Sequence, residues 1–197
     1  MNLAADPVVL AALHLALALL FAWAASHKLR DPSGFRVALT NYELLPERLT
    51  GVAARMLATA ELGIALGLVM PTTARTSAAA ATAILLLYAG AIAINLVRGR
   101  RDLECGCAGI GRTQVSAALV LRNAVLAAGA LICLLPTSPR PLGIVDAITI
   151  GAALGTLIFL YAAADGLIAI RQRATHRVGF SAAKSGLPPA TSELSHA

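Results

Sequence analysis

Two of the three cysteines in this chain, Cys105 and Cys107, flank a single glycine in the stretch RGRRDLECGCAGIG, residues 98–111. Thiols at that spacing have three uses: they ligate a metal, exchange a disulfide, or sit reduced in a tight turn. Structural zinc wants four nitrogen or sulfur ligands, commonly from two paired motifs. Here there is one pair, and His27 from another connection still leaves the set short, so no metal is expected. A disulfide across one residue needs a sharp turn, because extended backbone carries the two Cα atoms toward the bridging limit of about 7 Å. Gly106 eases that turn through dihedrals closed to other residues. The small ring stays strained, which favours an exchangeable bond over a permanent staple. Arg98, Arg100, Arg101 and Arg112 outnumber Asp102 and Glu104 around the pair, and a positive field favours thiolate. From the residues alone, exchange and an inert reduced pair stay evenly balanced.

The elements that must position this pair are apolar. Of 197 residues, 58% are hydrophobic and 13% charged, against about 25% charged in an ordinary soluble domain. The bilayer is therefore the expected solvent. Five runs are long enough to cross it as helices: roughly Pro7–Leu29, Gly51–Met70, Ala74–Val97, Val115–Leu135 and Ile144–Ile170. The fold class that follows is all-α, a polytopic membrane helical bundle over residues 1–171 with four core spans plus a fifth, C-terminal one. Residues 172–197 read as a flexible cytoplasmic tail. No Lys or Arg precedes the first run, so it reads as a retained span and not as a cleaved signal. With aromatic residues at 4% and no phosphate-gripping motif, the net charge of +6 points to membrane orientation and not to nucleic acid.

Orientation follows from where the cations sit. Lys28, Arg30, Arg36, Arg48 and Arg55 flank the first connection, and the third connection and the tail bring the count on that face to thirteen. The opposite face has Arg75 and Arg140. The excess of basic residues on the cytoplasmic side of membrane proteins predicts the N-terminus outside, the C-terminus inside, and the Cys-Gly-Cys connection on the cytoplasmic face of the cell membrane.

Ionisable residues inside the spans mark the bundle interior. Glu61 and Arg122 are expected to pair, with Asn95 or Asn123 as other partners for Glu61. His14 is expected as a satisfied polar core residue, and Asp146 and Asp165 as carboxylates that reach water. Cys133 lies about 30 Å of helix from the loop and reads as a buried structural cysteine. Two G-x-x-x-G runs, Gly63/Gly67 and Gly151/Gly155, and the alanines of ARTSAAAATA suit close helix packing. Packing within the bundle is the simpler expectation for the glycines, a homodimer the other. No inverted repeat or broken helix of a transporter is evident.

The stretches FAWAASHKLRDPSGFRVALTNYELLP, ATAELGIALGL, NLVRGRRDLECGCAGIG and LVLRN resemble the MauE family of membrane proteins, within the wider DoxX-like group of small helical bundles. The resemblance covers roughly residues 10–135 and is most specific in the basic stretch leading into Cys-Gly-Cys. Ala108 departs from it, where family members often carry a bulky aromatic.

The resemblance implies maturation of a disulfide-rich extracytoplasmic client, alongside a thioredoxin-like partner, with Cys105 and Cys107 as redox pair by position. Arg98, Arg100 and Arg101 would bias the thiolate, and Glu61 with Arg122 would hold the bundle. A membrane quinone site is compatible with this reading, although no sequence feature locates it. The family's methylamine context is not transferred, because a fold does not fix function. Disulfides form in oxidising compartments, whereas the charge count puts the pair inside. Either electrons pass from a cytoplasmic dithiol across the membrane, or the loop re-enters the bundle. The competing class is a non-catalytic assembly factor whose loop only docks a partner.

Overall fold

The computed structural model describes residues 5–100, 103, 114–138 and 140–185, the last fourteen as backbone alone. Cys105, Gly106, Cys107 and Arg101 lie outside the described residues.

The described residues form six helices: α1 Pro7–Arg30, α2 Pro32–Asn41, α3 Glu47–Val69, α4 Ala74–Val97, α5 Ala117–Ile132 and α6 Ile144–Ser185. Local chemistry sets several of the boundaries. Asp6 caps α1, its carboxylate accepting the Val8 N–H at 2.8 Å, and Pro7 takes the first turn, where a missing N–H costs nothing. Asp31 ends α1 and starts α2 at once. Its carboxylate accepts from Gly34 N at 2.9 Å and Ser33 Oγ at 2.8 Å, and Pro32 follows it.

Helices α1, α3, α4 and the Ile144–Arg171 part of α6 are long and apolar enough to cross a membrane. The molecule is a multi-pass helical membrane protein. Three elements differ from the sequence expectation. The first connection is not loop throughout but carries α2, which packs on α3. Its signal is legible afterwards: Phe35, Ala38, Leu39 and Tyr42 recur at helical spacing behind an Asp-Pro start. The fourth apolar run yields only 16 helical residues in α5, about 24 Å of rise. In addition, α6 continues through Ser185, into the stretch the sequence suggested as tail.

Helix α3 packs on α1 and α4, α5 packs on α4, and α6 lies against α1. Two apolar clusters stack along the bundle. One joins Leu17 and Phe21 of α1, Ile64 and Leu68 of α3, Leu85 of α4 and Ala127 of α5. The other joins Tyr42, Ile92, Val115 and Leu119 near the opposite end. Ala78 and Ala81 are fully buried, so the alanine-rich start of α4 does bring helices close. Of the four G-x-x-x-G glycines, Gly67 alone meets a neighbour, Ser77 of α4. Gly63, Gly151 and Gly155 face open space, contrary to the expectation that both motifs pack within the bundle.

At one end of the bundle, Ala5 pairs with the α5–α6 connection through Ala5 N to Pro136 O (2.9 Å) and Ser138 N to Ala5 O (3.2 Å). Arg140 there grips Asp146 at 2.8 and 2.9 Å and reaches Asp6 at 3.5 Å. The guanidinium of Arg140 is held charged by Asp146 above its already high value.

Candidate functional site: a buried polar layer and the base of the cysteine loop

Between the two apolar clusters lies a layer of charge. Lys28 sits on the same helical stripe as Phe21 and Ala25, and Glu61 on that of Ala58, Ile64 and Leu68. Adjacent helices therefore aim both side chains inward. Lys28 Nζ donates to both carboxylate oxygens of Glu61 at 2.7 Å, and Tyr88 Oη of α4 donates to Glu61 Oε1 at 2.6 Å. The Lys28 ammonium also lies 5.1 Å from the Phe35 ring centroid and 5.4 Å from that of Tyr88. Such aromatic faces stabilise a cation removed from water.

A second pair completes the layer. Arg122 Nη1 of α5 donates to Asp165 Oδ1 of α6 at 2.6 Å, with the Tyr161 ring 5.7 Å from the guanidinium carbon. Two expectations are corrected here. Glu61 does not pair with Arg122: its cation is Lys28, which the sequence reading placed among the face charges. Asp165 does not reach water, being 0% exposed. The physical reason is directional. Helical side chains lean toward their own N-terminus, so Lys28, two residues from the end of α1, reaches back into the bundle. Asp165 is drawn in because Arg122, about one turn past the fully buried Leu119, needs an anion that the inner stripe of α5 does not supply. Asn95 and Asn123 do not bond to Glu61 but return their amides to Ala91 O (3.1 Å) and Leu119 O (2.9 Å).

The Lys28–Glu61 pair and Arg122 line one small cavity of about 40 Å³, walled also by Phe21, Tyr88 and Tyr161, so that five helices contribute. That volume exceeds the roughly 10–15 Å³ one water needs. Arg122 Nε has no partner among the described residues and would be satisfied by such a water. His14 is half-satisfied: one ring nitrogen meets Leu10 O at 2.7 Å, while buried Nε2 has no partner among the described residues.

The described residues that flank the cysteine segment meet. Val115 N donates to Leu103 O at 2.9 Å, so the chain returns on itself across the cysteine segment. Leu103 packs against the Tyr42, Ile92, Val115 and Leu119 cluster. Arg100 Nη2 donates to Glu43 Oε1 at 2.9 Å, and Arg98 is exposed just past α4. Glu43 therefore neutralises part of the positive field expected from Arg100. Burial pushes the Tyr42 phenol up to about 12, so it stays protonated at the loop base. Cys133, buried in the other apolar cluster, takes no part.

A multi-pass helical bundle, with ion pairs closing its interior and Leu103 bonded to Val115 at one end, is the class of protein these features define. The family model described as methylamine utilisation protein MauE matches residues 6–136, and the chain belongs to that family. Among the relatives, the methylamine utilization protein MauE of Paracoccus denitrificans is 46% identical over 127 residues, 64% of this chain and 68% of the relative. The protein of the same description from Methylorubrum extorquens is 42% identical over 166 residues, 83% of this chain and 89% of the relative. That from Methylophilus methylotrophus is 34% identical over 83% of this chain and 87% of the relative. No solved structure matches this chain.

Proposed function

We propose that this chain is an integral membrane thiol–disulfide redox protein, with Cys105 and Cys107 as its exchanging pair, and that it supports maturation of a disulfide-bearing extracytoplasmic client. The observation that carries the reading is the clamp at the loop base. Leu103 and Val115, which flank the cysteine segment, are bonded to each other, and Leu103 packs on the cluster of Tyr42, Ile92, Val115 and Leu119, which supports a cysteine segment tethered at both ends. Exchange needs that, because the attacking and leaving sulfurs must meet in a defined geometry. The relatives' description in methylamine utilisation supports a role in the same process, with a thioredoxin-like protein or the client itself as partner.

The proposed orientation has the N-terminus outside and the C-terminus cytoplasmic. The cation bias supports it, weakened by one now that Lys28 is buried. The pairing of Ala5 with the α5–α6 connection supports the alternation of spans, since both must then lie on one side.

Mass-tagged maleimide trapping, with and without reductant, tests the redox role. One reversible tag shift that needs both Cys105 and Cys107 is expected. Thiols that are always free, or never reducible, overturn it. The second reading, a non-catalytic assembly factor, predicts that the double variant Cys105→Ser/Cys107→Ser still matures its client at normal membrane levels.

A further inference from the structure

A second cavity of about 480 Å³ opens between α2, α3 and α4. Its volume falls within the range of small-ligand sites, about 300–1,000 Å³. Its walls are almost wholly apolar, and its rim residues Leu45, Met56 and Leu87 are exposed, so in a bilayer the mouth faces lipid tails. Any occupant must therefore arrive dissolved in the membrane.

The inner end is different. Lys28 lines this cavity too, flanked by the Phe35 and Tyr88 rings, which are also wall residues. An ammonium has three N–H donors. Two are directed to Glu61, which leaves one for an acceptor beside the Phe35 and Tyr88 rings. A planar group with a carbonyl at its edge fits that description, and an acyl chain does not. The cavity also lies near Leu103, two residues before Cys105 in sequence, because Tyr42 and Ile92 line it and belong to the cluster that seats Leu103.

We propose that this cavity is the site of an isoprenoid quinone, its ring beside Phe35 and Tyr88, one carbonyl accepting from Lys28 Nζ and its tail leaving past Leu45 and Met56. The role assigned to it rests on the redox reading of Cys105 and Cys107. Two S–H bonds break and one S–S bond forms as the dithiol loses two electrons and two protons. The quinone takes both electrons, and its two carbonyl oxygens become the hydroxyls of the quinol.

The test uses the full chain in nanodiscs of quinone-free phosphatidylcholine, with a photoreactive azido-ubiquinone as probe and the label mapped by peptide. Label is expected on α2 and α4, displaced by decylubiquinone at concentrations at least tenfold below those of decylbenzene. Ala91→Phe and Ala38→Leu, which fill the cavity from opposite walls, are expected to cut labelling at least tenfold while eluting normally on gel filtration. Leu66→Phe, exposed and outside the cavity, leaves it unchanged. Equal displacement by decylbenzene means a lipid crevice and overturns the proposal, as does label elsewhere or unchanged labelling in both cavity variants.

Thiol trapping separates this proposal from the one beneath it. Cysteines that cycle equally fast in Ala91→Phe leave the redox reading standing and remove the quinone from it. Quinone bound in the cavity beside cysteines that never react leaves the site standing and removes the redox reading.

Discussion

Lys28 and Glu61, 33 residues apart in sequence, meet with Lys28 Nζ 2.7 Å from both carboxylate oxygens, at 5% and 1% exposure. Neither charge is tolerable in that position without the other. Desolvation of each ion costs several kcal/mol, recovered only through the partner and the surrounding hydrogen bonds.

Breaking this pair from one side should therefore cost more than removing it. Lys28→Met or Glu61→Leu alone is expected to destabilise by about 3–5 kcal/mol, the range for a stranded buried charge. The double variant should recover most of that loss. Thermal unfolding in detergent, run as a double-mutant cycle, checks it. Additive losses would mean the two residues do not act as a unit. Tyr88→Phe removes one hydrogen bond to a charged group and is expected to cost less, about 1.5–3 kcal/mol.

The pair Arg122 and Asp165 ties α5 to α6. The exchanged variant Arg122→Asp/Asp165→Arg is expected to accumulate in membranes where Arg122→Asp alone does not. Glu61→Arg/Arg122→Glu should give no such rescue, since those residues hold different partners. Membrane levels by immunoblot read both outcomes.

Alternating spans put Ser138 and the N-terminus on one side, and Ser33 on the other. In a cysteine-free background, Ser138→Cys is expected to react with an impermeant maleimide in intact cells, and Ser33→Cys only after lysis. The reverse pattern would invert the proposed orientation and move the Cys-Gly-Cys connection outside.

The start of α2 carries a pH dependence of known sign. Hydrogen bonds from Gly34 N and Ser33 Oγ hold the Asp31 carboxyl below its usual value. Its contribution is therefore fully present above the unfolded value, about 4, and is lost as pH falls through the lower folded value. Protease nicking of α2 should be flat from about pH 5 to 8 and rise only below about pH 4. Asp31→Ala should raise nicking across that whole range and abolish the dependence.

Leu103 holds the loop base on the bundle. Leu103→Asp places a charge on the cluster of Tyr42, Ile92 and Leu119 and should release the segment. The expected result is faster maleimide labelling of Cys105 and Cys107 when reduced, with slower formation of their reversible bond. Unchanged labelling would mean that the clamp does not govern the cysteines.

Much of the site was legible in the residues without their partners. Glu61 and Arg122 stand out as intramembrane charges, and both prove to belong to the polar layer, Glu61 buried and Arg122 partly so. Lys28 escaped because a cation near a helix end usually turns toward water. The missing signal was its place on the Phe21–Ala25 stripe. Helix α2 escaped because its connection looked polar when read as composition and not as period.

What the sequence determined by itself was whatever depends on neighbours along the chain. The length of apolar runs against a hydrocarbon slab set the class, Asp-Pro pairs set helix starts, and small residues in α4 set close packing. Tertiary structure alone decided which charge meets which, and where α2 leaves a cavity. Those outcomes depend on the rotation of each helix about its axis and on which helices lie side by side. A pairing across 33 or 43 residues has no local trace, because no span carries information about the face its neighbour presents.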